Sequence, residues 1–222
     1  MKMDLHIHSA FSSDGREKPK DIVTYARKMR LDGIAILDHN EIRGSLRAYE
    51  MCKGFDDFLV VRGIEVSTEA GHIVAYGVDE LIPTHLTIEE TAEKIRDLGG
   101  ISVAPHPHRF WSGIGGKSVT AESFAAVEVQ NARCTERNNK RSRRLADRLH
   151  LGQTGGTDSH ALSEIGKAYT LLKGNPASED DVIEEIVKRR TTAEGENRQM
   201  RETLDYVYSS VTKWMKRGMK KI

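Results

Sequence analysis

Short apolar runs alternate along this chain with segments of helical periodicity, and that alternation constrains the fold more than any other feature. It is the pattern of βαβ units joined into a largely parallel sheet. Leu5-His6-Ile7-His8 reads as the end of a first strand. Gly33 to Leu37, Phe58 to Val66, Ile73 to Val78 and Ile101 to Ala104 read as further strands, and Ala70-Gly71 supplies a turn before the third of these. Ala125 to Val129, Gln153 to Gly156 and Tyr169 to Leu172 continue the series. Helices are expected from Pro19 to Leu31, from Glu41 to Lys53, from Thr87 to the Gly99-Gly100 pair, from Thr135 to Leu149 and from Asp180 to Arg190. Pro19 sits where a missing N–H costs little, and Thr87 with Glu90 makes a capping-box pattern. About seven strand–helix alternations result. An eight-unit barrel usually takes ~250 residues, so 222 residues fit a short or distorted α/β barrel better. Leu204, Val207, Val211 and Trp214 recur at helical spacing, so residues 197–222 are expected as an amphipathic C-terminal helix packed on the barrel. No linker, repeat or low-complexity tract divides the chain, and a single domain over 1–222 is expected.

Composition narrows the class. Mean hydropathy is −0.52, yet the apolar runs recur in a way a disordered chain lacks. No apolar stretch approaches the roughly 20 residues of a membrane span, so stable membrane association is not expected. Met1 to His6 is too poor in apolar residues for a signal peptide. Two cysteines, Cys52 and Cys134, cannot form a disulfide framework, and a cytoplasmic location is expected. The formal charge of +1 says little about partners, but seven basic residues fall between Arg133 and Arg148, and five between Lys213 and Lys221. The first group reads as the wet face of an outer helix rather than a nucleic-acid surface, since no aromatic signature is interleaved with it. The second reads as part of a helix docked on the barrel or a subunit contact, rather than a membrane-surface helix.

The chemistry-bearing residues sit at strand ends. His6 and His8 share one side of a strand, because side chains alternate with a period of two. Asp14 follows in a Ser/Gly-rich loop, His39 ends the second strand and Glu65 the third, and His72 opens the next segment. His106 follows Ile101 to Ala104, while Asp158 and His160 lie in Gly155-Gly156-Thr157-Asp158-Ser159-His160. Barrel strands deliver their C-terminal ends to one face, so nine candidate ligands would converge there. Imidazole with carboxylate suits Zn, Mn or Fe. Divalent cations would also relieve the cost of crowding carboxylates in one mouth. His85 and His150 read as a loop residue and a helix-end residue outside the site, and His108 remains open.

Taken in order, these segments resemble the motifs of the PHP (polymerase and histidinol phosphatase) family. Asp4-Leu5-His6-Ile7-His8-Ser9 is similar to its first motif. Leu37-Asp38-His39-Asn40 resembles the second, with Leu37 where Thr is common. Glu65 with His72 resembles the third, and His106-Pro107 and Asp158-Ser159-His160 resemble the last elements. The resemblance spans residues 4–160 and implies a distorted (β/α)7 barrel with a trinuclear metal site. It implies that His6, His8, Glu65 and Asp158 hold a first ion. Glu65 would bridge to a second, bound also by His72 and His106, and Asp14, His39 and His160 would hold a third. The short stretch between His106 and Asp158 leaves little room for the inserted subdomain some relatives carry there.

Such a centre supports phosphate-ester hydrolysis, by in-line attack of a hydroxide bridging the ions. Glu65, as the bridging ligand that positions the hydroxide, together with His39 and His160, is expected in catalysis. Arginine is the natural clamp for a phosphate, and Arg109, Arg43 and Arg16 are the candidates. Asp38 and Asn131 are expected to orient ligands or substrate. The leading expectation is a metal-dependent phosphatase acting on a monoester of a nucleotide or small phosphorylated metabolite. The alternatives are a phosphodiesterase or exonuclease acting on nucleic acid, and a non-catalytic metal-binding interaction module.

Overall fold

The structure is a computed structural model that describes residues 1–198. Ten strands pair into two five-stranded sheets. In the first, β1 (Lys2–Ile7) is central, with β2 (Gly33–Ile36) and then β3 (Leu59–Val61) parallel on one side. On its other side lie β9 (Ala168–Leu172) and β10 (Thr191–Gly195), joined by antiparallel ladders. The second sheet runs β4 (Gly63–Ser67), β5 (His72–Tyr76), β6 (Ile101–Ala104), β7 (Ala126–Asn131) and β8 (Gly152–Gly156). Its first two pairings are antiparallel and its last two parallel.

The mixed α/β class is as expected, while the closed ring of a (β/α)7 barrel is not seen among the described residues. The ladders among the described residues form two sheets rather than a closed ring, and isolated parallel bridges, Ile7 with Ser159 and His39 with Glu65, connect the first sheet to the second. The expected single strand Phe58 to Val66 divides at Arg62. The Arg62 N–H donates to Glu179 Oε1 at 2.5 Å, and its guanidinium binds Glu179 Oε2 and Asp79 Oδ2, each at 2.8 Å. That donor is withdrawn from the sheet, and pairing passes from β2 before it to β5 after it. β10 was not foreseen; its Thr191-Thr192-Ala193 run follows a tight turn through Arg189, at φ 57°.

The helices start within two residues of expectation, and all but the fourth end earlier. α1 (Pro19–Lys28) begins on Pro19, carries Asp21 in its first turn and ends in Arg27-Lys28, in the sense that suits the helix dipole. Arg30, at φ 58°, has already left the helical region. α2 (Arg43–Cys52) is followed by α3 (Ile88–Asp97), whose Thr87–Glu90 capping box is present in both directions. α4 (Glu136–Leu149) is capped by the Thr135 side chain and closed by His150 in the left-handed conformation. α5 (Glu179–Val187) is capped by Ser178. The expected C-terminal helix over 197–222 lies outside the described residues apart from Asn197 and Arg198. Among the described residues no helix is long and apolar enough to cross a membrane.

Alternation along β1 decides where the site can be. Met3, Leu5 and Ile7 enter apolar clusters with residues such as Val61, Val103 and Ile36. Burying each such side chain stabilises by about 1.5–3 kcal/mol. Asp4, His6 and His8 project to the opposite face and are also buried. β8 can approach this face closely because residue 156 is glycine: a Cβ there would lie 2.4 Å from the His6 Cβ.

Candidate metal centre

The nine side chains expected as ligands come together at one end of the two sheets. Glu65, expected at a strand end, is the middle residue of β4 and lies among five imidazoles. Its Oε2 is 3.0 Å from His39 Nδ1, 3.4 Å from His8 Nε2 and 3.6 Å from His6 Nε2. Its Oε1 is 3.0 Å from His72 Nδ1 and 3.1 Å from His106 Nε2. Asp158 Oδ1 lies 3.4 Å from His8 Nε2. Asp14 Oδ2 lies 2.9 Å from His160 Nε2 and 3.7 Å from His39 Nε2. Donor atoms approach within 4.8 Å of one another in four groups: His8, Asp14, His39 and His160; His6, His8 and Asp158; His6, Glu65 and His106; and His39, Glu65 and His72. The grouping differs in detail from the expected partition, because His8 also reaches the Asp14 group and His72 sits with His39. His85, His108 and His150 belong to none of these groups.

The donors fit cations rather than one another. His6 Nε2, His8 Nε2 and Glu65 Oε2 are buried and make no well-aligned hydrogen bond, although they lie in mutual ion-pair range. Unsatisfied buried polar atoms are costly, and here they are imidazole nitrogens and a carboxylate oxygen, the donor set that divalent transition metals take.

The protein holds these donors from behind. Glu128 Oε1 is 2.9 Å from His6 Nδ1, leaving Nε2 toward the cluster, while Oε2 accepts from the His106 N–H and from Asn131 Nδ2, both at 2.9 Å. Asn131 also reaches Asp158 Oδ2 at 3.3 Å. Ser12 Oγ accepts from the His39 N–H at 2.8 Å. Asp38 faces the Ser9 loop, accepting from the Ser9 N–H at 2.6 Å and from its hydroxyl at 2.7 Å. Gly44 of α2 allows this, since a Cβ there would collide with Asp38 Oδ2 and Ser9 Oγ. Asp4 ties β1 to the segment after β8 through Thr157, with bonds of 2.9 Å and 2.7 Å. His106 and Asp158 adopt positive φ, 30° and 55°. Such strain persists only where the surroundings over-determine it and tends to mark functional sites.

Electrostatics divides the imidazoles. Burial pushes His8 down to about 3, with His39 and His6 beside it acting in the same direction, so it is neutral with its lone pair available. Burial also lowers His106, assisted by the Arg109 cation. For His39 burial acts downward, but Glu65 and Asp14 outweigh it and raise the group to about 9. For His6 burial is likewise outweighed, by Glu128 and Glu65, and the ring is held well above its ordinary value. Burial would raise Glu65 and Asp158, yet surrounding cations hold both well below the carboxylate range: His72, His39 and His6 for Glu65, and Arg109 first for Asp158. Asp14 is likewise held low by His160 and His39 against the effect of burial. Asp4, with no cation partner, is raised to about 6 by burial.

The expected substrate-binding residues separate. The Arg109 guanidinium donates to Asp158 Oδ2 and so lies within the cluster. Arg43 is exposed, bonds Glu41 and stacks over Phe11 at 5.2 Å. Arg16 is exposed on the loop after Asp14. Two residues in close contact with the donors were not singled out from sequence. Glu128 looks like one polar position in an apolar strand, and its partner His6 is 122 residues away. Arg133 falls within a basic segment of the sequence, yet its Nη1 touches His160 Nδ1 and donates to the Asp158 carbonyl oxygen at 3.2 Å.

Fold and site together define a mixed α/β protein with a candidate centre for several divalent ions. A family model described as PHP-associated matches residues 136–191. The chain is 37% identical over 142 residues to an uncharacterized protein of Methanocaldococcus jannaschii, covering 60% of this chain and 82% of that protein. Among solved structures it is similar to a two-domain Bacteroides vulgatus protein containing a predicted PHP-like metal-dependent phosphoesterase. There the TM-score is 0.74 at 19% identity, over 88% of this chain and 65% of that one. It is also similar to a lesion-specific endonuclease of Pyrococcus furiosus, with TM-score 0.60 at 16% identity, over 84% of this chain and 56% of that one. The chain belongs to the PHP family.

Proposed function

We propose that this chain is a metal-dependent phosphoesterase hydrolysing a phosphate monoester of a nucleotide or small metabolite. The observation that carries the reading is the set of buried donors without a well-aligned hydrogen bond, His6 Nε2, His8 Nε2 and Glu65 Oε2, inside a ring of further imidazoles and carboxylates. His6, His8, Asp14, His39, Glu65, His72, His106, Asp158 and His160 would hold the ions, and their imidazole and carboxylate donors suit Mn, Zn or Fe.

 Divalent ions, if bound there, would supply a water of lowered pKa and would offset charge on phosphoryl oxygens. The chain's own residues supply the rest. Glu128 fixes the His6 ring and the turn that carries His106. Glu65, with His39 and His160 on either side of Asp14, lines the place where a water and a phosphoryl group would meet. Arg109 and Arg133 both reach Asp158 and bring guanidinium donors suited to phosphoryl oxygens.

The structural likeness to a lesion-specific endonuclease supports a second reading, a phosphodiesterase acting on nucleic acid. On α4, Arg137, Lys140, Arg141, Arg144 and Arg148 are exposed and would track a phosphate backbone. The test is turnover of p-nitrophenyl phosphate by Mn²⁺-loaded protein. The monoesterase reading expects turnover that is absent in His8→Ala and His39→Ala. Hydrolysis of bis(p-nitrophenyl) phosphate or oligonucleotides alone, with steep salt dependence, would favour the nuclease. Stoichiometric metal without turnover of any phosphate ester would leave a binding module.

A further inference from the structure

Phe110 and Trp111 are the most exposed large apolar side chains among the described residues, at 85% and 63%. Their rings meet edge to face, with centroids 4.8 Å apart at 89°. Leaving two aromatic rings in water forfeits burial that a folded chain ordinarily takes.

The pair is not on a loose loop. The Arg109 N–H donates to the His106 carbonyl oxygen at 2.9 Å, and the Arg109 guanidinium binds Asp158. On the other side, the Ser112 carbonyl oxygen accepts from the His72 N–H at 3.0 Å. Gly113 and Gly115 close the turn with bonds to the carbonyl oxygens of Arg109 and Pro107, at 3.1 Å and 3.0 Å. The two aromatic residues are therefore held between one residue bonded to His106 and Asp158 and another bonded to His72. Consecutive Cα atoms are about 3.8 Å apart, so the backbone that carries the exposed rings is fixed beside the donor cluster.

We propose that Phe110 and Trp111 form a stacking platform for the base of a mononucleotide whose phosphate ester lies at the donor cluster. This rests on the phosphoesterase reading above and names its substrate class. Three observations favour a base over another occupant. The rings adjoin a site whose chemistry is for phosphate. The residue preceding them, Arg109, is a guanidinium within that site. The faces of a crossed ring pair are suited to a flat, polarisable partner, which a nucleobase is and a sugar or polyol phosphate is not.

The experiment compares adenosine 5′-monophosphate with ribose 5-phosphate, using protein of measured Mn²⁺ content. The wild type should prefer the nucleotide in kcat/KM. Trp111→Ala combined with Phe110→Ala should lower that preference on the order of 10-fold, chiefly through KM. Trp111→Phe should largely restore it, and Phe55→Ala, an exposed ring elsewhere, should leave it unchanged. Trp111 emission should be quenched by the nucleotide and not by ribose 5-phosphate, a readout that needs no turnover. Equal use of both compounds by the wild type, or a preference that survives loss of both rings, would overturn the platform. So would a preference unchanged in a double variant that shifts from dimer to monomer, which would make the pair a subunit contact. Absence of turnover with every phosphate ester would defeat the phosphoesterase reading instead, and the platform would then stand or fall on the fluorescence titration.

Discussion

His6, His8, Glu65, His106 and Asp158 make the floor of the donor cluster, none more than 3% exposed. Asp14, His39, His72 and His160 make its rim, with side chains 16–43% exposed. Both regions use the same side-chain chemistry, but they are held in different ways. The floor is braced by Glu128, Asn131 and Arg109. The rim leans on other donors of the cluster: Asp14 on His160, and His39 and His72 on the floor carboxylate of Glu65. Losing a floor group leaves charge in a place that water cannot reach, whereas losing a rim group leaves it screened. The floor should therefore govern whether the site exists, and the rim how fully it is loaded.

The sharpest attempt to break this contrast is Glu65→Gln, since floor and rim share that carboxylate. Metal-free protein should lose about 3–5 kcal/mol of stability, because the cations that His6 and His39 carry would lose their buried counter-charge. Urea unfolding in chelator reads this, and a midpoint equal to wild type would show that the floor does not depend on the carboxylate. The bound ions and turnover should be lost together. Glu128→Gln tests the bracing alone. It should cost about 10- to 100-fold in activity or metal affinity, while Asn131 and the His106 N–H keep an oxygen to bond. Asp14→Asn should act only at the rim. Elemental analysis should find one ion fewer per chain, with the rest retained, and loss of all metal would dissolve the distinction between the two regions. The smallest signal is a proton count. His39 titrates at about 9 when no cation is present, so it is protonated at pH 7.5. Ligation needs its lone pair, and metal binding should release protons. Affinity should then rise with pH up to about that value and fall on acidification. Calorimetry in buffers of different ionisation enthalpy measures the release, and a buffer-independent heat would contradict it.

The same contrast accounts for what could be read from the residues. His6 and His8 were legible because a strand's period of two puts them on one face. His39 and His106 were legible because each follows an apolar run, Glu65 because it lies near the end of one, and Asp158 because it follows the short strand-like Gln153 to Gly156. The bracing was not legible, because it depends on tertiary pairing. Glu128 has the same alternation as any half-polar strand residue, and only the approach of β1 gives it a partner. Strand order was also beyond local pattern. Phe58 to Val66 is one apolar run, and the break at Arg62 comes from Glu179, a residue 117 positions later. β10 has only five residues, two of them threonine, and its pairing with β9 is an event of the assembled sheet. Phe110 and Trp111 could be seen as aromatic residues, but their exposure and their anchorage between His106 and His72 could not.

Gly156 carries a consequence for anyone comparing or engineering chains of this kind. It has no side chain and bears no charge, yet a single methyl group there would intrude on the backbone that aims His6. Alanine at this position should spoil the catalyst while leaving every expected ligand in place, so an inventory of intact motif letters would pronounce such a variant healthy.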